Sequence, residues 1–166
     1  MSKSALKMSK DSGVNYSTIR RWIKKGYFGE IKTDKNGRYV FPDNMPLPYK
    51  SNGKVERDTT LLKNLIDASD LGRIVHKEMF PKIDCFRYEH MLKCAVDAHL
   101  IEIRTPYKGV IQLVSTEEGR AIINATPKVQ NQIYEKIIAG VNIAVVLAQF
   151  GIQYGPQIIN ALQMVS

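Results

Sequence analysis

In the first 44 positions the apolar residues are spaced first for helices and then for a hairpin. Ile19, Trp22, Ile23 and Gly26 fall within one narrow sector at ~100° per residue, and Ser17, Arg20, Arg21 and Lys24 fall on the other side. That pattern predicts a helix from Tyr16 to Lys25, capped by Asn15 and closed by Gly26. A shorter helix is expected from Ala5 to Ser12, with Leu6 and Met8 as its core contacts and Asp11-Ser12-Gly13 as the turn that follows. Glu30 to Thr33 and Arg38 to Pro42 then read as two strands joined through Asn36-Gly37.

Residues 45–58 hold Pro46, Pro48 and Ser51-Asn52-Gly53 without apolar periodicity, and read as a linker. Leu61, Leu62, Leu65 and Ile66 predict a helix over 60–68. Asp70 is placed to cap a second helix over 71–80, ended by Pro81, and Asp84 a third over 85–99. The third would carry Cys85, Tyr88, Leu92, Ala95, Val96 and His99 on one face, with His99 as a core histidine. Leu100 to Thr105 and Val110 to Val114 alternate like strands about a turn at Pro106 to Gly109. Ser115-Thr116-Glu117-Glu118 reads as a capping box that opens a helix to Asn124. Three helices, a hairpin and a closing helix over 59–126 resemble a second bacterial winged helix.

From Ile137 to Ser166 there is no charged residue. Ile137 to Ala148 reads as a helix apolar on most sides, and Gln157 to Val165 as a second, with Pro156 at its start. A helix apolar all round must be buried against something. Burial between subunits, as an oligomerising helical hairpin, is the favoured solution, with Ile138, Val141, Val145, Phe150, Ile158 and Leu162 as its contacts. Membrane association and docking on its own chain are the other two. A membrane span needs ~20 mostly apolar residues, and Asn142, Gln149 and Gln153 interrupt this one.

Charge separates the segments further. Residues 1–57 contain 13 Lys/Arg and 5 Asp/Glu, residues 58–128 contain 10 of each, and residues 129–166 contain one of each. The net charge of +8 therefore sits in the first third of the chain. A basic module on a neutral body implies a polyanion bound at one end. A helix ~10–12 Å across fits the major groove of DNA. Arg20 and Arg21 suit guanine edges or phosphates, and Tyr16 and Ser17 lie at the helix N-terminus, where bases and phosphates are met. Lys32, Lys35 and Arg38 make the following hairpin a basic wing.

The run Gly13-Val14, Ser17-Thr18-Ile19-Arg20-Arg21-Trp22-Ile23, Gly26 and Gly37-Arg38-Tyr39-Val40-Phe41-Pro42 resembles the MerR-type winged helix of excisionases, transposon-associated regulators and small recombinase DNA-binding domains. The resemblance covers about a quarter of the chain. It implies that the second helix enters the major groove and that the wing meets the backbone or minor groove. Carried over by position, it points to Tyr16, Ser17, Thr18, Arg20, Arg21, Lys24 and Arg38. Neither the long dimerising coiled coil of MerR regulators nor a recombinase catalytic domain follows.

Enzymatic chemistry has little to stand on. There is no phosphate-binding glycine loop, nucleophile motif or carboxylate cluster. His90 and Cys94 are spaced to share a helical face, but Cys85 and His99 point elsewhere, so no metal site and no cofactor is expected. The opening MSKSALKMSK lacks the apolar core of a secretory signal, and two cysteines fit a reducing cytoplasm.

The expected fold class is mainly α with small β-hairpins (α+β). It comprises a MerR-like winged helix-turn-helix over 1–44, a linker over 45–58, a second winged helix over 59–126 and an apolar helical segment over 128–166. The expected function is that of a non-enzymatic, cytoplasmic, nucleoid-associated regulator of a bacterium, phage or mobile element. It binds specific double-stranded DNA and assembles as a homo-oligomer. The middle domain either packs to position the DNA-binding module, meets a protein partner, or adds a DNA contact through Arg87, Lys93, Arg104 and Lys108. The alternative is a membrane-associated or assembly-forming effector with a DNA-binding head.

Overall fold

The computed structural model describes residues 2–50 and 57–152. They form a mixed α+β structure with seven α-helices and two small antiparallel sheets. The first part holds β1 (Ser2–Ser4), α1 (Ala5–Ser12), α2 (Tyr16–Lys24), β2 (Lys32–Thr33) and β3 (Tyr39–Pro42). Asn15 caps α2 by accepting from the Ser17 amide at 3.0 Å, and Gly13 ends α1 in the left-handed region at φ 73°. Between the helices and the hairpin lies a core of Met8, Ile19, Trp22, Phe28 and Phe41. Phe28 and Phe41 meet edge-on with ring centroids 4.9 Å apart.

Two expectations change here. Leu6 is exposed, and Ala5 joins Met8 in the core instead, because the buried face of α1 is turned by about one residue. The hairpin also gains a third strand: β1 pairs with β3, Lys3 opposite Phe41, giving the order β1-β3-β2.

The second part holds α3 (Asp58–Asp70), a 3₁₀ turn over Lys77–Met79, α4 (Cys85–Asp97), β4 (Ile101–Arg104), β5 (Gln112–Ser115) and α5 (Glu117–Ile123). Leu61, Leu62, Leu65 and Ile66 of α3 are fully buried, each contributing about 1.5–3 kcal/mol as an upper estimate. Asp84 caps α4 as expected, accepting from the Arg87 amide.

The helix expected over 71–80 is absent. Gly72 takes a positive φ of 64°, and Ile74 is drawn out as an extended residue bridged to Gln112. The buried stripe of α4 is Tyr88, Met91 and Ala95; Cys85 is exposed. His99 is exposed too, beyond the helix end and at φ 58°, so it is not a core histidine. The cap of α5 is Thr116, one residue later than expected, and it accepts from the Gly119 amide.

The stretch expected to be a linker is packed in its first part. Met45 and Pro48 are buried, Pro48 bridges Ile74 in parallel, and the Tyr49 amide donates to the Ile74 carbonyl at 2.8 Å. Ile74 and Val110 complete the core of the first part, and His76 stacks on Tyr27 with centroids 4.8 Å apart. The turn between β4 and β5 docks there as well: the Tyr107 hydroxyl donates to Asn44, and Lys108 lies 3.8 Å from Glu30. The two parts thus share core among the described residues.

The apolar segment also departs from expectation. It forms α6 (Pro127–Ile138) and α7 (Ile143–Gln149), separated at Gly140 (φ 88°) and restarted by Asn142, whose side chain caps α7. Ile133, Tyr134, Ile137, Val146 and Leu147 join the core around α3. Up to residue 152 this segment therefore docks on its own chain. Ile138 and Phe150, expected at a subunit interface, are half-buried against that core. Val141 and Val145 are exposed. Ile158, Leu162 and the expected helix from Gln157 lie outside the described residues. No helix among the described residues is long and apolar enough to cross a membrane.

Candidate nucleic-acid interface

α2 presents its polar face outward. Ser17, Arg20, Arg21 and Lys24 are exposed, while Ile19 and Trp22 on the opposite side are buried. At ~100° per residue, Ser17, Lys24 and Arg21 run along the middle of the outward face. Tyr16 and Arg20 lie on the edge towards the hairpin, and Thr18 on the edge away from it. The guanidinium of Arg20 sits 5.9 Å from the Tyr16 ring centroid, one helical turn apart, which orients it along the helix.

That hairpin edge opens into a cleft. Ala5, Leu6, Tyr16, Arg20, Arg38 and Tyr39 line it. Tyr16 and Tyr39 are 42% and 40% exposed, so two aromatic faces and two guanidinium groups share one accessible concavity. The turn that carries Arg38 is held firmly. One Asp34 carboxylate oxygen accepts from the amides of Asn36 and Arg38, and the Asp34 amide donates to the Arg38 carbonyl. This Asx-turn closure fixes the hairpin end while Lys35 stays exposed at its tip.

The structure brings Tyr16, Arg20 and Arg38 together and leaves Ser17, Arg21 and Lys24 on the adjoining open face. The Ser17 hydroxyl donates to the Asn15 side chain at 3.0 Å, so it belongs to the helix cap as well as to the surface. Two expected residues stand apart. Thr18 faces the opposite hollow, near Lys50 and Arg73. Lys32 pairs with Val40 and shares its face of the sheet, in a separate depression with Glu30 and Lys108.

Leu6 and Tyr39 belong to the cleft, although the sequence did not single them out. Tyr39 had a signal: two positions before the buried Phe41, it projects from the same face of the strand. Leu6 had none.

In the second part three of the four cations considered for a further DNA contact have acidic neighbours, and Lys93 is exposed on α4. Arg87 pairs with Asp58, Arg104 lies 3.3 Å from Glu102, and Lys108 lies beside Glu30. Cys94 Sγ is 3.9 Å from His90 Nε2, and no group of three or more metal-ligating side chains occurs among the described residues.

Compared with known proteins, the chain matches no family model and no curated protein.

Proposed function

We propose that this chain binds double-stranded DNA through its first part, acting as a winged helix-turn-helix that lays α2 in the major groove. The carrying observation is the exposed cationic face of α2 beside a cleft that joins Tyr16 and Arg20 to Arg38 and Tyr39 on the hairpin. A helix in the groove lets Ser17, Arg21 and Lys24 face base edges. The cleft takes the flanking sugar-phosphate strand against guanidinium and aromatic groups. The charge excess in residues 1–57 supplies the long-range attraction.

On this reading residues 59–126 form a second winged helix, in the order α3, extended Ile74, 3₁₀ turn, α4, hairpin and α5. Its hairpin docks on the first part, and the outward face of α4 mixes Glu89 and Asp97 with Lys93. That supports a positioning or protein-contact role over independent DNA binding. Copies assemble through the last segment, where Val141 and Val145 remain exposed. A regulator of DNA transactions in a bacterium, phage or mobile element fits this arrangement.

The test starts by selecting a preferred duplex from a random pool with the full chain. Arg20→Ala and Arg21→Ala should each weaken binding to it by about 1–3 kcal/mol. Unchanged affinity in both variants overturns the assignment of α2.

A further inference from the structure

A helix lying in the major groove has a phosphate strand on each side. The hairpin cleft accounts for one side of α2. The other side is not bare: a hollow lined by Asn15, Thr18, Leu71, Lys50 and Arg73 runs along the opposite edge of the helix. At ~100° per residue, Thr18 lies roughly opposite Tyr16 and Arg20 across the outward face, so the two concavities flank α2.

Both cations in this hollow come from outside the first 44 residues, and both stand on fixed main chain. Lys50 follows Tyr49, whose amide donates to Ile74. Arg73 precedes Ile74; its amide donates to Ala68 and its carbonyl accepts from the Leu113 amide at 3.0 Å. The Pro48–Ile74 bridge ties the two segments together beside the N-terminal half of α2. Neither cation has an ion pair among the described residues.

We propose that Lys50 and Arg73 form a second phosphate clamp, gripping the DNA strand across the major groove from the hairpin. This rests on the DNA-binding reading of α2 and extends it: the second part of the chain is a component of the DNA-binding unit. Arg73 reaches the backbone only because Ile74 is pinned between Pro48 and Gln112, so the docking of the two parts sets the width of the grip.

The experiment measures affinity of the full chain for a labelled 30-base-pair duplex of random sequence over a series of salt concentrations. Removing one cation that neutralises a phosphate lowers the slope of log affinity against log salt by about 0.9. At 0.1 M salt that corresponds to roughly an eightfold weaker affinity. Lys50→Ala and Arg73→Ala should each show this reduction, Arg73→Lys should restore the slope, and Arg20→Ala serves as the reference for α2. Unchanged slopes in Lys50→Ala and Arg73→Ala, with binding weakened in Arg20→Ala, overturn the clamp and leave the α2 reading standing. A chain that does not bind the duplex, or Arg20→Ala and Arg21→Ala variants that both bind like the parent, would overturn both.

Discussion

Gly29 and Gly109 meet main chain to main chain at the junction of the two parts. A Cβ on Gly29 would collide with the Lys108 carbonyl oxygen and lie 3.3 Å from the Gly109 Cα. Gly29 also holds a φ of 69°, where a side chain is strained. Gly37 offers the comparison, with φ 75° and open space where its Cβ would be. Gly37→Ala should cost only the left-handed strain, about 1–2 kcal/mol. Gly29→Ala should cost more, because the junction must open as well. Urea denaturation of both variants checks this; equal losses would mean that the junction yields without cost.

Tyr134 is fully buried on α6, and among the described residues its hydroxyl has no hydrogen-bond partner. Burial and the nearby Asp67 carboxylate push its ionisation well above the usual tyrosine range, so the group stays neutral. A buried unmatched hydroxyl costs about 1–3 kcal/mol. Tyr134→Phe should therefore leave stability unchanged or raise it by up to that amount in thermal or urea unfolding. A loss above ~1 kcal/mol would show that the hydroxyl is bonded.

Asp67 on α3 is pushed above the ordinary aspartate range, first by desolvation and further by Asp70, against the lowering effect of Lys63. The folded state therefore holds this proton more tightly than the unfolded state. Its contribution favours folding fully below the unfolded-state value and is lost as pH rises through the raised folded one. Asp67→Asn should be more stable than the parent at pH 7, with the advantage shrinking as pH falls through the raised folded-state value and levelling off below the ordinary aspartate value. A difference independent of pH would refute the shift.

Local chemistry was the readable part of this fold. Asn15, Asp84 and Gly13 act at the positions their side chains or backbone freedom dictate, and the spacing of Ile19 and Trp22 fixes which face of α2 turns outward. What could not be read depends on partners distant in sequence. β1 has three residues with no apolar alternation and exists only because β3 offers it an edge. Ile74 leaves helical geometry because its main chain bonds Leu47 and Tyr49 on one side, while its neighbours Arg73 and Val75 bond Leu113 and Ile111 on the other. The apolar stripe of α6 shows that Ile133 and Ile137 must be buried, but not that α3 covers them. For the candidate site, the cations of α2 and the hairpin were legible, whereas Leu6, Lys50 and Arg73 were not, since only packing brings them beside α2.

Removing residues from 129 onwards would strip Ile133, Tyr134, Ile137, Val146 and Leu147 from the core and unfold the second part. Assembly is better tested on the exposed face of α7. Val145, 49% exposed, contributes little to the core, so Val145→Glu should leave stability within ~0.5 kcal/mol. If copies pack there, the variant should have a lower mass than the parent by light scattering. Equal masses would remove α7 from any interface.

The most direct measurement is the affinity of the full chain for a random-sequence duplex as salt is raised from about 50 to 200 mM, followed by fluorescence anisotropy. Groove insertion with a phosphate strand held on each side of α2 predicts binding at low salt and a slope of log affinity against log salt of about −3.6, from Arg20, Arg38, Lys50 and Arg73 at roughly −0.9 each. No binding at the lowest salt, or an affinity that does not fall as salt rises, would contradict DNA binding by this surface.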